Sequence, residues 1–356
     1  MHDGDPAWIR CVGFVPVRWL SAVMLLTLLS GCQLGYYAHV SHGHMAFMAA
    51  RTPVSEVLAD PALDPQLRDQ LQLSRRLLRF AQQELQLPAD GVYRDYVALP
   101  EPWVVWNLFA APEFSLVPHQ WCYPVVGCAG YRGYFSRQRA ERERQRLEAQ
   151  GLQVFGAGAI AYSTLGWFRD PLTSAMLQGD EAWFAELLFH ELVHRRYYLK
   201  GDTRFNESLA TAVAREGLRR WLARHGDPAV INAVRARDEA RARVLALVGE
   251  TRDALTRLYA SRIDEQAMRE QRERIIAQLR RDFASALAEQ PLLAGWREWF
   301  DGPLNNAQLN MVSDYHDLVP QFDAALLGCG GDWPCFWQRV EQMAKARRQV
   351  RAEDDR

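Results

Sequence analysis

The chain predicts an α+β protein dominated by helices, with a helix pair at its chemical centre, a small antiparallel sheet and a long helical hairpin. Three observations predict it. Short apolar runs broken by Pro100, Pro102 and Pro112 begin near Tyr93, the texture of strands and loops. From Gly179 onward apolar residues recur at helical spacing with few breakers. Residues 227–288 are rich in Ala, Arg, Glu and Leu, which predicts two long antiparallel helices separated near Ser261 to Asp264. Their mixed-sign charge marks a solvated face.

The N-terminal segment belongs outside the fold. Arg10 and Arg18 precede an apolar run, Trp19 to Leu29, shorter than the about 20 residues that span a membrane. The run ends in Leu29-Ser30-Gly31-Cys32, which resembles the bacterial lipobox. That resemblance implies a signal peptide over 1–31 and a lipidated Cys32 that anchors the chain in a membrane without a spanning helix. Gln33 stands where an Asp would favour the inner membrane, so the outer membrane facing the periplasm is the expected address. Residues 32–60 form the anchored segment. Its His39, His42 and His44 lack a metal-binding spacing and predict a solvated linker.

Residues 61–345 are expected to form one domain, followed by a polar tail over 346–356. A helix should run from Pro65 to about Leu87, with Leu71, Leu73, Leu77, Leu78 and Phe80 on its apolar side. Pro88, Asp90 and Gly91 stop it. Val104 to Trp106 reads as a buried strand. Tyr131 to Phe135 leads into a charged helix from Ser136 to Gln150, which Gly151 ends. Val154 to Leu165 reads as a strand carrying Gly156 and Gly158, and Asp170-Pro171 breaks the chain.

Composition narrows the class. Charged residues are 24% and apolar ones 49%, with a net charge of -1, so neither a nucleic-acid partner nor a polybasic membrane patch is indicated. Aromatic residues cluster between 93 and 135, as core or as the lining of a cleft. Cys11 leaves with the signal and Cys32 is taken by lipid, which leaves Cys122 with Cys128 and Cys329 with Cys335. Each pair encloses a turn-rich stretch, and metal-binding cysteine pairs usually lie closer, so two local disulfides are expected in an oxidising compartment.

The chemistry centres on His190-Glu191-Leu192-Val193-His194, an HExxH motif flanked by Phe184, Leu187, Leu188 and Leu192. Positions i and i+4 share a helix face, so both imidazoles can bind one Zn²⁺, with Glu191 beside them as general base. Gly201 and Asp202 then make a turn, and Glu207 falls on the first turn of the next helix. Folded back antiparallel, that helix brings Glu207 in as third ligand. Two His and one Glu form the ligand set of a thermolysin-type zinc site. A helix-terminal acid favoured by the macrodipole is the simpler role for Glu207; the preceding HExxH favours the ligand. Glu186, four residues before His190, could orient that ligand.

Asn206-Glu207 with Ala210 following resembles the gluzincin peptidases, although the His194-to-Glu207 spacing is shorter than in thermolysin-like enzymes. More closely, the chain resembles a family of bacterial aminopeptidase lipoproteins. The stretches that carry this are Trp121 to Phe135, Ala161 to Asp170, His190 to His194, Gly201 to Ala210 and Tyr315 to Phe322. The resemblance implies a zincin-like helix pair and a peptide substrate. It also implies a Tyr or His that steadies the tetrahedral intermediate, for which Tyr315 and His316 are the candidates in a segment with Asn310, Asp314 and Asp317. Gluzincins commonly bind peptide along a sheet edge, for which Ala157 to Leu165 is suited. Gly156 and Gly158 would allow close approach there, and Tyr162 could reach the cleft. No GxMEN-type element for a free amino terminus is present. A zinc amidase acting on cell-wall peptides would use the same ligands. A non-enzymatic envelope scaffold would have no need of Glu191.

Overall fold

The computed structural model describes residues 34–123, 127–164 and 168–354, and about 64% is helical. The chain divides into two compact units, Met1–Phe47 and Met48–Arg356. The expected signal segment and Cys32 lie outside the described residues. The segment expected to be a solvated linker is instead helical: α1 covers 34–49. No Pro interrupts it, and Leu34, Ala38, Met45, Ala46, Met48 and Ala49 are strong helix formers.

The second unit begins with β1 (Thr52–Pro53), α2 (Val54–Ala59) and α3 (Pro65–Glu84). Asp64 caps α3 by accepting from Leu67 N, and Pro65 sits at the first helical position. Strand β2 (Asp95–Val97) pairs antiparallel with β1 and parallel with β8 (Leu172–Thr173). The main sheet is antiparallel, in the order β6 (Tyr131–Tyr134), β3 (Val105–Pro112), β7 (Leu152–Ala159). Strands β4 (Trp121–Tyr123) and β5 (Gly127–Ala129) form a separate ribbon, with a disulfide between Cys122 and Cys128 across it. A second disulfide joins Cys329 and Cys335. The charged helix is α4 (Arg137–Glu148), capped by Ser136.

Strand β7 ends at Ala159, short of the expected Leu165, because the chain beyond is tied elsewhere. Thr164 donates from its N–H and hydroxyl to the Asp170 carboxylate, the hydroxyl at 2.6 Å. The two β7 glycines make room for neighbours within the chain. A Cβ on Gly158 would lie 2.3 Å from the Trp103 ring, and one on Gly156 would meet Leu108 at 3.4 Å. Close backbone approach here serves internal packing.

The remainder is helical: α5 (Glu181–Arg196), α6 (Thr203–His225), α7 (Pro228–Tyr259), α8 (Glu265–Glu289), a 3₁₀ turn (Pro291–Trp296), α9 (Arg297–Asp301), α10 (Asn306–His316), α11 (Val319–Leu327) and α12 (Trp333–Asp354). The α7/α8 hairpin turns between Tyr259 and Glu265, where Asp264 caps the second helix. One core joins α3, α5, α6, α11 and α12, with Leu77, Phe189, Phe205, Phe322 and Phe336 at its centre. A second lies within the hairpin, where Val244, Leu255 and Leu279 meet Leu309 and Val312 of α10. Among the described residues, no helix is long and apolar enough to cross a membrane.

Candidate metal centre

Helix α5 starts where Asp180 accepts from Trp183 N at 2.7 Å and buries Phe184, Leu188, Phe189, Leu192 and Val193. That packing fixes its rotation, so His190 and His194 emerge on one side. Gly201 adopts φ 76° in the turn after α5, a left-handed conformation that suits glycine. Asn206 then clamps the connection: its Oδ1 accepts from Leu199 N at 2.7 Å and its Nδ2 donates to Leu199 O at 2.9 Å. The residue before Glu207 thus holds the loop that lets α6 fold back. At the far end Trp221 Nε1 donates to Glu181 Oε1 at 2.7 Å, so the two helices run antiparallel along their length.

The fold-back brings three donor atoms together. Glu207 Oε2 lies 3.2 Å from His190 Nε2 and 3.6 Å from His194 Nε2, and the two Nε2 atoms are 3.2 Å apart. In a tetrahedral site with bonds of about 2.0–2.1 Å, adjacent ligand atoms stand about 3.3 Å apart. His190, His194 and Glu207 therefore fit a single divalent ion without rearrangement, and they form a group that could hold one.

The electrostatics agree with that fit. Burial opposes the charge on Glu207, but His194 and His190 outweigh it and hold its carboxyl well below the usual carboxylate range. Burial opposes the charge on His194 too, and the Glu207 carboxylate outweighs it, so its pKa is raised. A carboxylate that draws a proton to His194 also favours a cation between the two rings. Glu191, next along α5, has its pKa raised, chiefly by burial and further by the Glu207 and Asp170 charges, against the pull of the two imidazoles. Its environment suits a group that both accepts and returns a proton.

Tyr315 joins this group. Its ring lies nearly parallel to His190, 17° between planes and 5.9 Å between centroids. Burial first, then the Glu207 charge, raises its phenol well above the ordinary value, so the phenol keeps its proton. His316 also feels His190 but faces stronger charges from elsewhere. Burial and the Arg241 and Arg215 charges lower its pKa to about 4. Glu186 does not orient His190: its carboxylate receives Arg237 and Arg241, the latter at 2.9 Å, because two cations from α7 outcompete an imidazole for it. Tyr162 rests edge-on against Phe135 at 5.1 Å.

Three residues near this centre were given no role by the sequence. Asp170 is 2% exposed and accepts from Thr164 as well as from Arg195, one residue beyond His194, at 3.5 Å. In the sequence it shows only as an Asp-Pro breaker. Tyr93 is buried with φ 53°, a conformation costly for a bulky residue, and the Glu191 and Asp170 charges both act on it. Asp314 is 5% exposed and precedes Tyr315 on α10.

Fold and centre together define a helical α+β protein in which a helix pair presents two imidazoles and a carboxylate beside a second carboxylate. Residues 35–354 match the model of a family described as "Putative aminopeptidase", and the chain belongs to that family. The membership supports a peptidase-like function. No curated protein and no solved structure matches the chain.

Proposed function

We propose that the chain is a zinc-dependent peptidase, with His190, His194 and Glu207 holding the metal and Glu191 acting as general base. The observation that carries this reading is the 3.2, 3.2 and 3.6 Å triangle of donor atoms, in a family of peptidase-like function. Zinc bound there would polarise the scissile carbonyl and lower the pKa of a water toward about 7.

The chain's own residues do the rest. Glu191 takes the proton of the attacking water and passes it to the leaving amine, a task its raised pKa suits. Tyr315 donates its phenolic hydrogen to the oxygen on which negative charge develops. Its ring stacked beside His190 supports it over His316, on which Arg241, Arg215 and Glu186 act more strongly than His190 does. The lipobox-like stretch ending at Cys32 supports anchoring in the cell envelope as part of the same proposal.

The test pairs metal analysis with hydrolysis. The purified chain from residue 33 onward should hold one zinc and cleave unblocked peptides, and a chelator should abolish cleavage reversibly. A chain that takes up no metal when zinc is supplied would sink the reading.

A further inference from the structure

We propose that Asp314 receives the free α-ammonium of the peptide substrate, in the cavity between the first turn of α6 and Gly130. The inference rests on the peptidase reading only for the position of the scissile bond.

The cavity has a volume of about 210 Å³ and is lined by Pro118, Gln120, Gly130, Thr203, Arg204 and Asp314, among others. Its place follows from helix geometry. Thr203 of its lining and Glu207 stand four apart on one face of α6, about one turn or ~5.4 Å of helix rise, and the Glu207 charge acts on Asp314. From the other side, Asp314 precedes Tyr315, whose ring lies against His190. Ser208, next to Glu207, donates its hydroxyl to Asp314 O at 3.1 Å and fixes that part of α10 against α6. A substrate amine is separated from the scissile carbonyl carbon by the α-carbon alone, so its receptor must stand this close to the metal ligands.

The chemistry of the cavity selects a cation. The Asp314 side chain is 7% exposed, yet among the described residues no hydrogen bond reaches its carboxyl. The nearest cation, Arg204 Nε, is 3.9 Å away, beyond hydrogen-bond reach, and the same guanidinium faces Asp317 at 3.7 Å. Arg347, the other cation of the cavity, is committed to Asp202 at 2.8 Å. A carboxyl this enclosed is reached only from the cavity, and an ammonium entering there brings three donors.

Gly130 keeps the space in front of that carboxyl open. A Cβ there would lie 3.7 Å from Asp314 Oδ2, 3.9 Å from Pro118 Cβ and 4.0 Å from Thr203 Oγ1. Those are ordinary contacts, so Gly130→Ala should fold normally while its methyl occupies the position an ammonium needs.

The experiment measures binding of L-alaninamide and of N-acetyl-L-alaninamide to the metal-free chain by calorimetry, where neither amide is cleaved. Wild type should prefer the free amine. Asp314→Asn and Gly130→Ala should each lose that preference, by about 30-fold or more for removal of a buried charge partner. If Asp314→Asn fails to fold, Gly130→Ala decides alone. Equal binding of both amides by wild type, or a preference undiminished in the folded variants, would overturn the proposal. A preserved amine preference in a chain that hydrolyses no peptide would count against the peptidase reading and leave Asp314 as the amine site.

Discussion

Replacing Glu207 by Gln keeps the shape of the side chain and removes the anion from the three converging donors. Glu207 is 6% exposed, and its Oε2 stands 3.2 Å and 3.6 Å from the two imidazole nitrogens. Its charge is therefore shielded from water and directed at whatever lies between the rings. Removing one partner from a buried charge set costs about 3–5 kcal/mol. At about 1.4 kcal/mol per tenfold, that weakens zinc binding by roughly two to three and a half powers of ten. Competition against a chromophoric chelator measures the change, with far-UV circular dichroism to show that the helices survive. A folded variant that binds zinc as tightly as wild type would refute the assignment of Glu207 as ligand.

Other perturbations separate catalysis, packing and electrostatics. Glu191→Gln should retain zinc and lose about 10²–10⁴-fold in peptide turnover, the range of general acid–base catalysis, read as metal content beside kcat. Gly217→Ala should destabilise by about 1–3 kcal/mol in thermal melts, although Ala is the better helix former, because the added methyl overpacks the core. Its Cβ would meet Leu85 Cδ1 at 2.7 Å and Phe189 Cδ2 at 2.8 Å. Burial raises the Asp314 pKa from 3.8 to about 7, with Glu207 and Asp317 adding to the rise and Arg204 and Arg252 opposing it. A carboxyl whose pKa is raised by folding stabilises fully below its unfolded value and loses that contribution as pH climbs through the folded one. The metal-free chain should thus lose up to about 4 kcal/mol between pH 4 and pH 8 on this account, and Asp314→Asn should flatten that slope in melts across the range.

What could be read from the sequence was what is written locally. The HExxH spacing places His190 and His194 on one face whatever surrounds them. The turn at Gly201-Asp202 and the capped start of α6 announce a fold-back that delivers Glu207. The α7/α8 hairpin was equally legible, since the long helical pattern pauses only where Ser261 to Asp264 turn it. The partner of Glu186 was not legible, because Arg237 and Arg241 reach it from a separate helix more than fifty positions away. The β7 glycines were half legible for a related reason. A glycine in a strand announces close approach but not by what, and here Trp103 and Leu108 are what approach.

Helix α10 shows why the mixed-charge hairpin matters to a centre it does not enter. Asn306 donates to the carbonyls of Pro112 and Glu113, both at 2.9 Å, and accepts from Tyr259 of α7 at 3.0 Å. Arg252 of α7 donates to Asn310 at 2.6 Å, while Leu309 and Val312 sit in the hairpin core. The start of α10 is thus fastened to both the sheet and the hairpin, and its end carries Asp314 and Tyr315 to the α5/α6 pair. On the opposite flank Arg237 and Arg241 of α7 hold Glu186, one turn before His190 on α5. The hairpin therefore grips the imidazole-bearing helix directly and the tyrosine-bearing helix through its core. A residue's distance from the three donors in sequence is then a poor guide to its effect: loosening Arg252 or Tyr259 should move Tyr315 relative to His190 without touching either.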